Sequence, residues 1–237
     1  MSTIDSASVK AVFEQRSMYD AVVDGDYMFH AEINVALGEW SRAFGRPLRI
    51  VDLGCGDARV AARGFADAAV ASYVGVDLAE SSIAEARRNT AVWSDRVDLI
   101  CGDLLDALQQ MPAGLANVVL ASYSLHHFGT AEKRTLLAEI ARVLEPNGVL
   151  LWLDAVRRDD ESRDEYIATL TGEVMDSWTA LTIDERERAC EHIRTADFPE
   201  TEAWVMEAIA GAGFTVGDRL FESDLFRGWE LKSQRAK

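Results

Sequence analysis

The sequence predicts a doubly wound α/β protein with a mostly parallel sheet, a C-terminal antiparallel hairpin and a helical lid. Short apolar runs alternate with helical patterns five times between Ile50 and Leu153, which is the signature of strands joined by crossover helices. The first run, Ile50-Val51-Asp52-Leu53, ends at Gly54-Cys55-Gly56, a turn that lets a ligand lie against bare backbone with a helix amino end pointing at it. After Asp154 the pattern changes to charged helical sequence and then to two apolar runs separated by a short turn.

The elements follow in order. Val9 to Val23 reads as a helix ending at Asp24-Gly25, and Ile33, Leu37, Trp40 and Phe44 recur at helical spacing before Gly45-Arg46-Pro47 stops them. Arg59 to Ala68 is the next helix. Tyr73-Val74-Gly75-Val76-Asp77 is a second strand ending in an acid, and Ser82-x-x-Glu85 reads as a capping box for a helix over Ile83 to Trp93. Val97 to Ile100 and Asn117 to Ser122 are the third and fourth strands. The helix Thr130 to Leu144 leads into a fifth strand, Val149 to Leu153, with Asp154 as the turn residue that closes it. Thr182-x-x-Glu185 is a second capping box, before Arg186 to Arg194. Pro199 opens a helix through Ala210, and Phe214 to Phe221 with Phe226 to Leu231 make the final hairpin. The expected organisation is N-terminal helices over residues 1–45 acting as a cap and a ligand-binding core over 46–154. A helical insertion over 155–198 walls the substrate, and residues 199–237 complete the core.

Composition narrows the function. The chain has 237 residues, 24 Lys+Arg against 40 Asp+Glu, and a formal net charge of -16, so nucleic acid is repelled and is not an expected partner. Cys55, Cys101 and Cys190 form no CxxC pair. With no signal-peptide pattern, they point to a reducing, cytoplasmic setting in which Cys55 and Cys101 are small buried fillers. No apolar stretch approaches the roughly 20 residues of a membrane span, so no membrane partner is expected. Oligomeric state is left open, with a homodimer among the options.

The glycine turn fits two cofactor classes. A dinucleotide site wants G-x-G-x-x-G, with the third glycine letting the helix pack beneath a pyrophosphate, and Arg59 stands at that third position. Asp52 before the glycines would repel a pyrophosphate and favour a cation. Asp77, at the end of the second strand, can accept ribose hydroxyls.

These residues resemble the class I S-adenosylmethionine-dependent methyltransferase family. Asp52-Leu53-Gly54-Cys55-Gly56 is similar to its first motif and Val74-Gly75-Val76-Asp77 to its acidic second-strand motif. Cys101-Gly102-Asp103 is similar to the loop after its third strand, and Leu144-Glu145-Pro146-Asn147-Gly148 to its L-x-P-G-G turn, with Asn147 in place of a glycine. The resemblance implies a Rossmann-like core binding S-adenosylmethionine and its product S-adenosylhomocysteine. It places the methionyl part on Gly54, Cys55 and Gly56 with Asp52 supporting the amino group, the ribose on Asp77 beside Leu78, the adenine amine on Asp103 beside Leu104, and Ser122 next to the methionyl amine. Asp103 reads equally as the N-cap of a helix over Leu104 to Gln110.

His126-His127 follows the fourth strand. Adjacent side chains in such a loop point apart, so one ring is expected at the reacting methyl. Small-molecule members of the family favour the second place, which makes His127 the candidate general base and His126 a substrate-side residue with Tyr19, Tyr27 and His30. A purely structural His127, bonded to backbone, is the alternative. The sequence shows no metal-ligand spacing and no nucleophile triad, so no metal is expected. Methyl transfer needs neither, since positioning and water exclusion can suffice.

The fourth strand ends in Ala121-Ser122-Tyr123-Ser124 and lacks the Asn/Asp-Pro-Pro-Tyr/Phe signature of amino-methylating nucleic-acid enzymes, so the expected acceptor is a small molecule methylated on O or N. Three rivals stand beside this reading: an NAD-dependent oxidoreductase, a non-catalytic S-adenosylmethionine sensor, and a carboxy-S-adenosylmethionine synthase. The last needs an arginine facing the sulfonium, and Arg157, Arg158, Arg163, Arg186, Arg188 and Arg194 in the insertion are the candidates, with His192 as a further carboxylate ligand.

Overall fold

The computed structural model describes residues 16–234, so residues 9–15 of the expected first helix lie outside the described residues. Its centre is a mixed eight-stranded sheet in the order β3-β2-β1-β4-β5-β8-β7. The strands are β1 (Leu48–Leu53), β2 (Val70–Asp77), β3 (Val97–Cys101), β4 (Ala116–Ser122), β5 (Leu144–Arg157), β6 (Glu200–Thr201), β7 (Phe214–Glu222) and β8 (Phe226–Ser233). β1 to β5 run parallel, and Asp52 pairs with Gly75 on one side and Leu120 on the other. β8 inserts antiparallel between β5 and β7, and the two-residue β6 pairs with the end of β5.

Strand alternation sends neighbouring residues to opposite faces, and each face buries its own helices. Ile50, Val118 and Leu151 pack with α1 (Arg16–Asp24), α2 (His30–Phe44), α3 (Arg59–Gly64), α7 (Arg163–Ser177) and α8 (Ile183–Ala196). Val51, Val119 and Leu150 pack with α5 (Leu104–Gln110), α6 (Thr130–Val143) and α9 (Glu202–Gly211). The helix α4 (Glu80–Asn89) covers β2 and β3. Trp40 Nε1 donates to Glu230 Oε1 at 2.9 Å in the interior, fastening α2 to β8.

Three local expectations are corrected. The helix after β2 begins at Glu80, so Ser82 lies inside it and caps nothing; Asp77 Oδ1 accepts the Ala79 amide at 2.9 Å and sets the turn one step earlier. The fifth strand continues through Asp154 to Arg157, because β8 pairs with it as far as Ala155. Asp154 is therefore a buried strand residue and not a turn acid. The Thr182 to Glu185 capping box forms as expected. Cys55 is buried, but Cys101 is exposed at the sheet edge and is not a core filler.

Candidate functional site

At the carboxyl edge of β1 the chain turns through Gly54 (φ 70) and Gly56 (φ 53). A Cβ on Gly54 would lie 2.5 Å from the Ser124 Cβ, so only glycine fits there. Asp77 holds this turn: its Oδ2 accepts the Gly56 amide at 2.9 Å while Oδ1 accepts Ala79. Asp103 Oδ1 accepts the amides of Leu105 at 2.8 Å and Asp106 at 3.1 Å, capping α5. Capping does not exclude a ligand, since a carboxylate has acceptor sites on both oxygens.

These residues open on one cavity of about 420 Å³ that also reaches α1, α2, α7 and α8. Asp52, Gly54, Cys55, Gly56, Asp77, Leu78, Asp103, Leu104 and Ser122 all line it, as do Tyr19, His30, His126 and His127. Tyr27 does not. It stacks on Trp178 at 5.2 Å between ring centres and its hydroxyl accepts the Ala180 amide at 2.7 Å, so it braces the wall from behind; Trp178 is the residue that faces the cavity.

Electrostatics divide the cavity. Asp52 is buried, accepts the Tyr73 hydroxyl at 2.7 Å, and is pushed from 3.8 up to about 7 by burial, with nearby Asp77 adding to the shift. Burial also raises Asp77. Burial disfavours the charged form of these carboxyls, and a cation placed beside them would restore it. The buried hydroxyls of Ser122 and Ser124 have no hydrogen-bond partner among the described residues, and buried polar atoms of that kind call for a ligand or water. His30 is lowered to about 4 by burial and its Nδ1 is likewise unpartnered.

The far end is built on histidines. Leu125–His127 form a 3-10 turn, so the two adjacent rings do not diverge: their centres lie 4.0 Å apart and both reach the cavity. Asp154 organises this turn. Its Oδ2 accepts the amides of Leu125 and His126 at 3.1 Å and the Trp152 indole at 2.9 Å, and its Oδ1 pairs with His126 Nδ1. Burial works against both charges of that pair, yet Asp154 with Asp197 raises His126, and His126 with the hydrogen bonds lowers Asp154.

Asp197 closes the cluster from the end of α8. Its Oδ1 stands 3.3 Å from His127 Nδ1, 3.6 Å from His126 Nε2 and 3.9 Å from His192 Nε2. The Phe198 amide donates to the His126 carbonyl at 2.7 Å, and buried Lys133 bonds Phe198 O and Glu200, which seats the segment beside the turn. Asp154 and Asp197 were missed by sequence reasoning, and His192 was considered only for a carboxylate. Three of the insertion arginines are engaged elsewhere: Arg163 donates to the carbonyls of Asp197 and Arg194, Arg186 to Met175, and Arg157 to Pro199 and Glu161. Among the described residues no arginine or lysine lines the cavity.

Residues 50–148 match the family model of a methyltransferase domain. The fold over the described residues is similar to that of solved methyltransferases with bound S-adenosylhomocysteine. Magnesium protoporphyrin IX methyltransferase from Synechocystis with bound S-adenosylhomocysteine superposes with a TM-score of 0.66 at 15% identity, covering 97% of this chain and 100% of that one. The Burkholderia thailandensis 1,6-didemethyltoxoflavin-N1-methyltransferase, with 1,6-didemethyltoxoflavin and S-adenosylhomocysteine bound, gives 0.66 at 18% identity over 99% of this chain and 92% of that one. By sequence, a carboxy-S-adenosyl-L-methionine synthase from Shewanella sediminis is 27% identical over 62% of this chain and 62% of its own length. One from Shewanella baltica is 27% identical over 78% and 76%. No helix among the described residues is long and apolar enough to cross a membrane.

Proposed function

We propose that the chain transfers a methyl group from S-adenosylmethionine to an oxygen or nitrogen of a neutral, largely apolar small molecule. One observation carries this reading: a single cavity joins an acidic glycine-turn half to an apolar half ending in the histidine cluster. The cofactor suits the first half. Its ammonium and sulfonium favour Asp52 and the Asp77 side, the unpartnered Ser122 and Ser124 hydroxyls offer hydrogen bonds to its methionyl end, and Gly54 and Gly56 leave room against the backbone. Asp77 would take the ribose and Asp103, beside Leu104, the adenine. Bound there, S-adenosylmethionine supplies a methyl already activated by its sulfonium.

Met28, Tyr123, Leu170, Trp178, Ile193 and Phe226 line the other half. They suit an apolar ring and exclude water, which strengthens positioning effects. His127 is the proton acceptor in this reading. Its Nδ1 lies 3.2 Å from the Ala196 carbonyl, which can only accept, so the ring proton sits on Nδ1 and Nε2 is the basic nitrogen. The N-terminal helices and the insertion over 155–198 form the lid, with Tyr27 and Trp178 joining them.

The relatives named as carboxy-S-adenosylmethionine synthases favour a second reading, with the cofactor itself as the group modified. The absence of a cavity-lining arginine among the described residues counts against it. Mass spectrometry of turnover separates the two. Methyl transfer yields S-adenosylhomocysteine and a methylated acceptor, whereas the rival yields a carboxylated cofactor and no S-adenosylhomocysteine. With an acceptor in hand, His127→Ala is expected to lower kcat by about 10²–10⁴-fold, the usual contribution of a positioned base, with cofactor affinity nearly unchanged and His126→Ala doing less. Equal activity of the two variants, or loss of cofactor binding in His127→Ala, would remove His127 from the chemistry.

A further inference from the structure

The histidine cluster has a second capacity that proton transfer does not use. His126, His127 and Asp197 present ligand atoms that all lie within 4.8 Å of one another, and His192 Nε2 stands 3.9 Å from the same carboxylate oxygen. Four atoms bound at about 2.0–2.1 Å in a tetrahedron are about 3.3–3.4 Å apart. The separations of 3.3 and 3.6 Å from Asp197 Oδ1 to the His127 and His126 nitrogens lie close to that spacing, while His192 Nε2, at 3.9 Å from the same oxygen, stands outside the three-residue group.

An independent observation shows the site to be unsatisfied. Asp197 is 5% exposed, and among the described residues its Oδ1 closes no hydrogen bond of full geometry, its nearest donor being His127 Nδ1 at 3.3 Å. A buried carboxylate oxygen left in that state is costly unless a cation or water completes it. The surrounding shell is also that of a metal site. His126 holds its Nδ1 against Asp154, which fixes the tautomer and points Nε2 at the centre, the carboxylate–histidine arrangement that commonly supports a ligating imidazole. Two buried carboxylates, Asp154 and Asp197, would balance the charge of one dication.

The geometry points to a transition-metal site in which His126 Nε2, His127 Nδ1 and Asp197 Oδ1 bind one divalent ion of the Zn²⁺ type, with water as the fourth ligand. Two imidazoles and one carboxylate suit Zn²⁺ and its neighbours and not Mg²⁺ or Ca²⁺, which prefer oxygen sets. Coordination through Nδ1 moves the His127 ring proton to Nε2, so a loaded ring is no base. Metal loading and the proton-acceptor role proposed above thus exclude one another, and Zn²⁺ inhibits turnover.

The test is equilibrium dialysis of the full chain against Zn²⁺ with metal analysis, paired with thermal unfolding and the visible spectrum of the Co²⁺ form. The expected result is one equivalent per chain and, at a hundredfold excess of metal over its Kd, a rise in Tm of about 5–10 °C. The Co²⁺ spectrum should show four-coordinate bands without thiolate charge transfer. Asp197→Asn and His126→Ala should each lose at least about tenfold in affinity, and Asp154→Asn about 10–100-fold through the orienting bond. Circular dichroism and the metal-free Tm establish that each variant folds. Zn²⁺ retained undiminished by folded Asp197→Asn and His126→Ala, a thiolate band placing the ion on Cys55, Cys101 or Cys190, or no binding by the parent would overturn the site. Binding that leaves turnover untouched supports the site and removes His127 from proton transfer, so the two proposals fail separately.

Discussion

Replacing Asp52 by asparagine should stabilise the ligand-free protein and weaken its hold on a cationic ligand, two effects of opposite sign from one change. The carboxyl is 3% exposed and burial, with a smaller push from Asp77, carries it from 3.8 to about 7. The folded state therefore binds this proton more tightly than the unfolded chain does. As pH rises from about 4 to about 7 the parent loses stability through this group, and above about 7 the loss is complete. At about 1.4 kcal/mol per pH unit the penalty is capped at about 4 kcal/mol, and relaxation around the charge will reduce it. Asparagine carries no charge to desolvate, and its Oδ1 can still accept the Tyr73 hydroxyl, which lies 2.7 Å from the native oxygen. Urea unfolding of both proteins should show a gain of a few kcal/mol near pH 8 that shrinks toward pH 4, while calorimetry near pH 8 shows weaker binding of S-adenosylhomocysteine. A variant no more stable than the parent near pH 8 would refute the reasoning.

The other site residues can be tested together. Asp103→Ser keeps a cap for α5 but withdraws the carboxylate, so stability should stay within about 1 kcal/mol while cofactor affinity falls about tenfold or more; unchanged affinity would leave Asp103 as a helix cap only. Gly54→Ala puts a Cβ 2.5 Å from the Ser124 Cβ in a backbone with φ 70. It should cost about 1–2 kcal/mol of backbone strain and displace Ser124 into the cavity, so that cofactor binding drops further than stability; wild-type binding would show that the turn has slack.

How much of this was legible in the sequence depends on the range of the interaction. The strands around the glycine turn were readable because each is an apolar run bounded by turn residues, and the order of acids Asp52, Asp77 and Asp103 follows from parallel strands ending at one edge. Asp154 was misread because an acid after Val149 to Leu153 looks like a strand end; its burial depends on β8, more than seventy residues later, pairing across it as Arg227. Ser82-x-x-Glu85 has the letters of a capping box, but Asp77 had already set the turn. Asp197 and His192 sit in a charged amphipathic stretch that looks like any solvated helix. Only the seating of that stretch by Lys133 and the Phe198 amide brings them to His126 and His127. The Asp-Phe-Pro break after α8 was the one local sign that Asp197 left the helix at a fixed place.

The central claim is that this cavity holds S-adenosylmethionine and not a dinucleotide, and calorimetric titration with S-adenosylmethionine, S-adenosylhomocysteine, NAD and NADP tests it most directly. The account predicts one equivalent of either adenosyl ligand per chain, no response to the dinucleotides, and affinity at least about tenfold lower in Asp77→Ala, from the loss of charge-assisted bonds of about 1.5–3 kcal/mol. Saturable binding of a dinucleotide with no response to the adenosyl ligands would contradict it.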